Sequence, residues 1–328
     1  MAPALTMASG VITVGTWRDD DTSMGAVLAT LDRLRQSDRR GAVRTSFLTL
    51  LAVGGRQIEV DDTFDTVQRL GHLQPTRVVV IRVTGRERHR LDARVGVHLQ
   101  ERGQRCLGID DVALEVAGPV TDHLDSLIEP LTQPDLPVVM WCRERLPPAR
   151  SRLIDLADHL VVDSARAGGR DRLAALDRLR ARVPVSDFAW LRLLPLRRRL
   201  AGTLSRAELR PLLDEVRTAS VAGPDLERAL LAAWVGTSLP GAVVAELDEG
   251  EDTSSWSVSL EGDGWRIRAA QEASCIPVVV ERDGREPWTT TATAAPPTSE
   301  GLLAQVLVHL RPDPVYGRTL AAAAAGRP

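Results

Sequence analysis

The sequence predicts an α/β fold in two parts: a three-layer N-terminal domain with a mostly parallel sheet over residues 1–203, then a smaller α+β domain over residues 204–328. Three observations predict it. Short Val-rich apolar runs alternate with amphipathic, helix-length segments as far as residue 200, the pattern of doubly buried strands and covering helices. Residues 135–164, DLPVVMWCRERLPPARSRLIDLADHLVVDS, hold two such runs around a helix-length stretch, which reads as a right-handed βαβ unit. After Leu204 the texture changes to alternating strands, with Gly262-Asp263-Gly264 as hairpin punctuation.

In order, residues 11–14 read as a short strand or a frayed start. Residues 22–36 read as an amphipathic helix, with Met24, Val27, Leu28, Leu31 and Leu34 at helical spacing. Residues 44–53 form a long strand stopped by Gly54-Gly55, and residues 61–70 a helix with Phe64, Val67 and Leu70 inward. The connection His72-Leu-Gln-Pro-Thr-Arg77 leads into the apolar strand 78–83. Residues 91–99 alternate and suit an antiparallel partner; 110–116 is a further strand. Residues 121–131 read as a helix with Thr121 as N-cap and Asp122 at its positive end. After the central unit, 168–182 is a helix with Leu173, Leu176 and Leu179 on one stripe, and a helix from Asp187 to Leu200 is interrupted by Pro195. In the second domain 207–218 and 226–235 read as helices and 243–247, 256–261, 265–270 and 276–281 as strands. Residues 289–299 read as a loop, 300–310 as a last helix and 321–328 as a disordered tail.

Composition narrows the function classes. A hydrophobic fraction of 44% and a charged fraction of 26% belong to a globular protein, and a net charge of −3 gives no general pull toward nucleic acid or anionic lipid. All 41 basic residues are Arg, which fits a GC-rich bacterial gene and rules out Schiff-base or P-loop lysine chemistry. Cys106, Cys142 and Cys275 form no CxxC pair, which suits a reducing cytoplasm and argues against disulfides or zinc. The amino terminus lacks a signal-peptide pattern, and no run approaches the roughly 18–20 apolar residues of a membrane span. A cytoplasmic protein is expected.

The sequence carries no catalytic constellation. There is no GxGxxG after a strand, and the six histidines show neither HxxxH nor HExxH spacing, so no cofactor or metal is expected. Gly168-Gly169-Arg170 and Gly118-Pro119-Val120-Thr121 stand where an anion cradle would lie, but glycine there more often serves turn geometry. His72 more often bonds its loop backbone than a ligand, and Ser164 lacks the GxSxG elbow. Cys142 beside Arg143 reads as a small buried group rather than an activated thiol. The acidic run 248–252 and the Arg197–Arg199 run read as solvated surface.

Several pieces, in order, resemble one family: 72–77 before an apolar strand, LTQPDLPVVMW at 131–141, HLVVDS at 159–164, DFAWLR at 187–192 and Asp313-Pro-Val-Tyr316. Together they resemble the glucose-6-phosphate dehydrogenase assembly protein family, OpcA, of actinobacteria and cyanobacteria. The resemblance implies a non-enzymatic partner of glucose-6-phosphate dehydrogenase that promotes its active oligomer and acts as an allosteric effector, supporting NADPH production in the oxidative pentose phosphate pathway. The chain departs from the pattern at Cys142, where family members tend to carry a second Trp, and at Leu196, where an aromatic tends to precede the Arg.

Trp and Arg concentrate at the energetic centres of interfaces, which makes Trp141, Arg143, Trp190 and Arg192 the candidate partner-binding residues. The competing reading of Trp141 and Trp190 is core packing, because a large indole is mostly buried wherever it lies. The alternative function is a sugar-phosphate or nucleotide module, or an unrecognised enzyme, using the carboxyl edge of the sheet near Trp141, Asp163 and Gly168–Arg170.

Overall fold

The computed structural model describes all residues except 1–10, 38–47, 56–59, 71–75, 86–87, 103–104, 134, 144–145, 148–150, 167–168, 248–254, 296 and 327–328. The expected loop at His72, the acidic run 248–252 and the start of the strand at 44–47 lie outside the described residues. The fold is α/β, with a mostly parallel sheet of eight strands and a second sheet of six. The chain divides into two compact units, Met1–Val161 and Val162–Pro328.

The first unit runs β1 (Val11–Asp19), α1 (Met24–Gln36), β2 (Leu48–Gly54), α2 (Val60–Leu70), β3 (Thr76–Gly85), β4 (Arg90–Arg102), β5 (Arg105–Ala117), α3 (Leu124–Ile128), β6 (Val138–Cys142) and β7 (His159–Val162). Its strands follow the order β1-β4-β5-β3-β2-β6-β7. Strands β5, β3, β2 and β6 are parallel, with Leu50 opposite both Val78 and Val139; β4 pairs antiparallel with β5 and β1 with β4. The centres of β2, β3 and β6 are buried on both faces, which is why residues 50–52, 78–81 and 138–142 are continuous apolar runs rather than alternating ones. Helix α1 starts where Ser23 Oγ accepts from Ala26 N–H and carries Arg33 and Arg35 in its last turn, at the negative end of its dipole.

Three expectations change here. The helix expected over 121–131 is a 3₁₀ turn at Pro119–His123, the short α3 and a second 3₁₀ turn at Glu129–Leu131. Pro119 and Pro130 lack the N–H groups a continuous helix needs, and the Thr121 hydroxyl donates to the Gly118 carbonyl instead of capping. The crossover between β6 and β7 contains, among the described residues, a 3₁₀ turn at Arg152–Leu156 and no α-helix. Strand β1 is nine residues long rather than a short start.

The second unit runs α4 (Asp171–Arg180), β8 (Val185–Asp187), α5 (Phe188–Arg192), α6 (Leu194–Leu204), β9 (Thr218–Ala222), α7 (Asp225–Ser238), β10 (Val243–Leu247), β11 (Ser257–Gly262), β12 (Trp265–Ala270), β13 (Cys275–Arg282), β14 (Trp288–Thr293), α8 (Ser299–Val308) and α9 (Pro314–Ala324). The six-stranded sheet has the order β10-β9-β11-β12-β13-β14, antiparallel except for β10 against β9. Helix α7 packs on β9 and β10 and α6 on β12 and β13, covering one face. In β12 the alternation of buried Trp265, Ile267 and Ala269 with exposed Arg266 and Arg268 records that one-sided covering.

Four expectations change in this unit. Residues 207–218 hold a 3₁₀ turn at Arg210–Glu215 containing Pro211, not a helix, and lead into β9, whose Thr-Ala-Ser-Val-Ala carries little β signal. The Thr-rich stretch expected as a loop supplies the edge strand β14, which suits β-branched threonine. The expected disordered tail continues α9 as far as Ala324, with Leu320 and Ala322 buried. The Arg run is not solvated throughout: Arg197 is buried, because its guanidinium lies over Trp190.

Candidate functional site

The residues that follow β7 build a buried polar cluster within the second unit. Asp163 receives both Nη groups of Arg192 at 2.9 and 2.7 Å, the fork-on-fork geometry in which Arg and carboxylate bind most strongly. Arg192 Nη2 also reaches Glu227 Oε1 at 3.2 Å, from the first turn of α7. Burial works against the Arg192 charge, but Asp163 and Glu227 outweigh it and raise its pKa; burial likewise raises the Glu227 pKa in spite of Arg192.

Asp187 holds four groups, two of them from Ser164, the residue after Asp163. Its Oδ1 accepts from Ser164 N–H and Ala189 N–H at 3.0 Å, the second of these capping α5; its Oδ2 accepts from Ser164 Oγ at 2.6 Å and Tyr316 Oη at 3.0 Å. Burial raises the pKa of both Asp187 and Tyr316, against the donors that favour the carboxylate. Trp190, 1% exposed, donates from Nε1 to Asp313 Oδ2 at 2.8 Å, while Asp313 Oδ1 caps α9 through Val315 and Tyr316 N–H. The Arg197 guanidinium lies 3.2 Å from the Trp190 ring centroid and donates to the Trp190 carbonyl; burial lowers its pKa to about 9.

In the first unit, Arg143 leaves β6 and donates to Thr63 Oγ1 at 2.6 Å and Asp62 Oδ2 at 2.8 Å, with its guanidinium 5.0 Å from the Trp141 ring centroid. Trp141 and Cys142 are buried, and burial pushes the Cys142 thiol up to about 12, which leaves it inert at neutral pH. Arg77, 4% exposed, donates to the Leu131 carbonyl at 2.6 Å beside Asp110. The short motifs 131–141, 159–164, 187–192 and 313–316 therefore supply buried polar bonds within one unit or the other.

The four candidate partner-binding residues fall into two places. Trp141 and Arg143 stack on one another in the first unit, and Trp190 lies next to Arg192 on α5 in the second. Both indoles are interior; the Arg143 side chain is 25% exposed and that of Arg192 18%. Sequence reasoning missed Asp187, Glu227, Tyr316 and Arg197 as members of the cluster. Gly118, at φ +80°, is turn geometry: a Cβ there would meet His89 N at 2.6 Å. Gly169, at φ +75°, is likewise a turn, and Arg170 beyond it pairs with Asp225 and Glu246 at the rim of a cavity of about 400 Å³. Among the described residues no three His, Cys, Asp or Glu gather as a metal group, and no helix is long and apolar enough to cross a membrane.

His159 gives a pH prediction. It is 1% exposed at the start of β7, and burial lowers its pKa from 6.5 to about 4. The unfolded chain then binds a proton at higher pH than the folded one, so stability is present above pH 6.5 and falls as pH drops toward 4. Between pH 7 and pH 5 the loss from this group is about 2 kcal/mol. Urea unfolding of the His159→Gln variant over that range is expected to show a shallower pH slope than the parent; an unchanged slope would refute the assignment.

Fold and site together define a two-unit α/β protein whose polar side chains at the strand ends are bonded to one another. Residues 67–181 match the family model of the glucose-6-phosphate dehydrogenase subunit N-terminal domain, and residues 183–320 that of the C-terminal domain. The chain belongs to the OpcA glucose-6-phosphate dehydrogenase assembly family. No curated protein matches it. Among solved structures it is similar to an oxidoreductase from Sinorhizobium meliloti, at 8% identity and TM-score 0.46 over 86% of this chain and 96% of that one. It is also similar to a dehydrogenase from Chromobacterium violaceum, at 12% identity and TM-score 0.44 over 86% and 93%.

Proposed function

We propose that this chain binds glucose-6-phosphate dehydrogenase in the cytoplasm, favours the dehydrogenase's active oligomer and thereby supports NADPH production in the oxidative pentose phosphate pathway, with no chemistry of its own. The observation that carries the reading is the match of both family domains in series over residues 67–320. The internal bonding of Asp163, Asp187, Arg192 and Glu227 supports it, since groups held by one another are poorly disposed to take a substrate. An effector needs only to bind one state of its partner better than another; coupling of about 1–3 kcal/mol changes affinity roughly 5- to 150-fold.

Of the four candidates, Arg143 offers a partly exposed guanidinium already oriented by Thr63, Asp62 and Trp141, and we assign it the contact role. The test is size-exclusion chromatography of the chain mixed with the cognate dehydrogenase, together with the dehydrogenase's KM in its presence. Co-elution with a several-fold lower KM is expected, weakened in Arg143→Ala with no change in melting temperature beyond a few degrees. Separate elution together with an unchanged KM would refute the reading.

A further inference from the structure

Strand β10, Val243-Val-Ala-Glu-Leu247, ends the six-stranded sheet, and among the described residues nothing pairs with its outer edge. Edge strands are ordinarily guarded by a bulge, a Pro or a charge pointing outward. Here the register against β9 places Val243, Ala245 and Leu247 on the face away from α7, because Thr218 and Ser220, the partners of Val243 and Ala245, alternate with the inward Ala219 and Val221, the partners of Val244 and Glu246. Val243 is 70% and Leu247 44% exposed, two of the four large apolar side chains exposed among the described residues. The one charge, Glu246, points to the helix side and is paired with Arg170 and Arg228 there.

We propose that β10 pairs antiparallel with β10 of a second copy of this chain, about a two-fold axis through Ala245, joining two six-stranded sheets into one. The strand itself selects this register. A two-fold axis normal to the sheet keeps the outward face outward, so only registers that set odd positions against odd positions are allowed. Centring on Ala245 sets Val243 against Leu247 of the other copy and Val244 against Glu246, an unbroken apolar row with no charge facing a like charge. Centring one position later would set Glu246 against Glu246, which like-charge repulsion disfavours; centring one earlier would leave Leu247 facing Gly241. A five-residue edge spans about 17 Å, so the contact lies at the small end of specific interfaces and the dimer is concentration-dependent.

Sedimentation equilibrium of the full chain from about 1 to 100 µM tests this, with the melting temperature as control. A reversible monomer–dimer equilibrium is expected. Ala245→Glu, which brings two carboxylates together on the axis, is expected to shift its midpoint to at least tenfold higher concentration. Ala245→Cys is expected to give a disulfide between the two copies of position 245, identified by mass spectrometry, since opposed strand positions lie within disulfide reach. A chain that stays monomeric throughout, or a dimer indifferent to Ala245→Glu and crosslinked elsewhere, would overturn the proposal. So would a monomer whose co-elution with the dehydrogenase is lost in Ala245→Glu, an outcome that assigns the edge to that partner.

Discussion

Arg192→Met is expected to destabilise the protein by about 3–5 kcal/mol, the loss typical of removing one member of a buried ion pair. The guanidinium is the shared partner of Asp163 and Glu227, whose side chains are 6% and 7% exposed, so the variant keeps two buried carboxylates and removes the charge between them. Methionine fills most of the volume, which makes the loss electrostatic rather than a cavity effect. Arg192→Lys restores the charge but cannot bind Asp163 through two nitrogens, and recovers only part of the stability. The sign of the pH response separates this from simple loss of packing. Buried carboxyls deprived of this cation, with Asp163 left to the exposed Arg166 at 3.5 Å, have raised pKa values, so the folded variant takes up protons before the unfolded chain does and its deficit narrows as pH falls toward about 4. Urea unfolding of parent and variants at pH 7 and pH 5 reads both effects. A deficit below about 1 kcal/mol, or one that does not change with pH, would show that Asp163 and Glu227 do not depend on Arg192.

The parts of this arrangement that could be read in the sequence are those carried by hydrophobic pattern. Strands β3, β6 and β7 stand out because burial on both faces favours long apolar runs, with Arg77 and His159 as buried exceptions, and α1 and α2 because their inward stripes repeat at helical spacing. Strand β9 and α9 did not stand out: Thr-Ala-Ser-Val-Ala and a run of alanines take their structure from what they pack against. The helices expected over 121–131 and 207–218 are broken up because Pro130 and Pro211 cannot supply a helical N–H. The site was half legible. Trp190 and Arg192 were visible as residue types, but their partners come from Asp163, Glu227 and Asp313, far off in the chain. One signal was available for Glu227, a lone acid inside the apolar segment Leu226–Ala233, which in a buried helix requires a cation. Arg197 misled in the opposite direction, since a run of three arginines ordinarily marks surface.

Trp190→Ala is expected to cost about 3–5 kcal/mol, and the manner of the loss decides what Trp190 does for binding. The substitution empties a fully buried site, leaves Asp313 Oδ2 without the 2.8 Å indole donor and removes the ring on which Arg197 rests. Among the described residues Arg197 Nε has no hydrogen-bond partner, and burial lowers the guanidinium's pKa to about 9 against the charge of Asp313, so the ring adds to what that carboxylate and the Trp190 carbonyl supply. The two side chains are therefore coupled: Arg197→Met costs less in the Trp190→Ala background than in the parent, by about 1 kcal/mol in a double-mutant cycle. Trp190→Phe keeps a ring beneath Arg197 and loses chiefly the bond to Asp313, a smaller cost of about 1–2 kcal/mol. A buried indole influences a partner only by holding α5 in place, so the folded Trp190→Phe variant is expected to co-elute with glucose-6-phosphate dehydrogenase as the parent does. Co-elution lost in Trp190→Phe at full foldedness would instead make the indole a contact residue, reached by an opening of the second unit that the bonded cluster around Asp163 and Asp187 is built to resist.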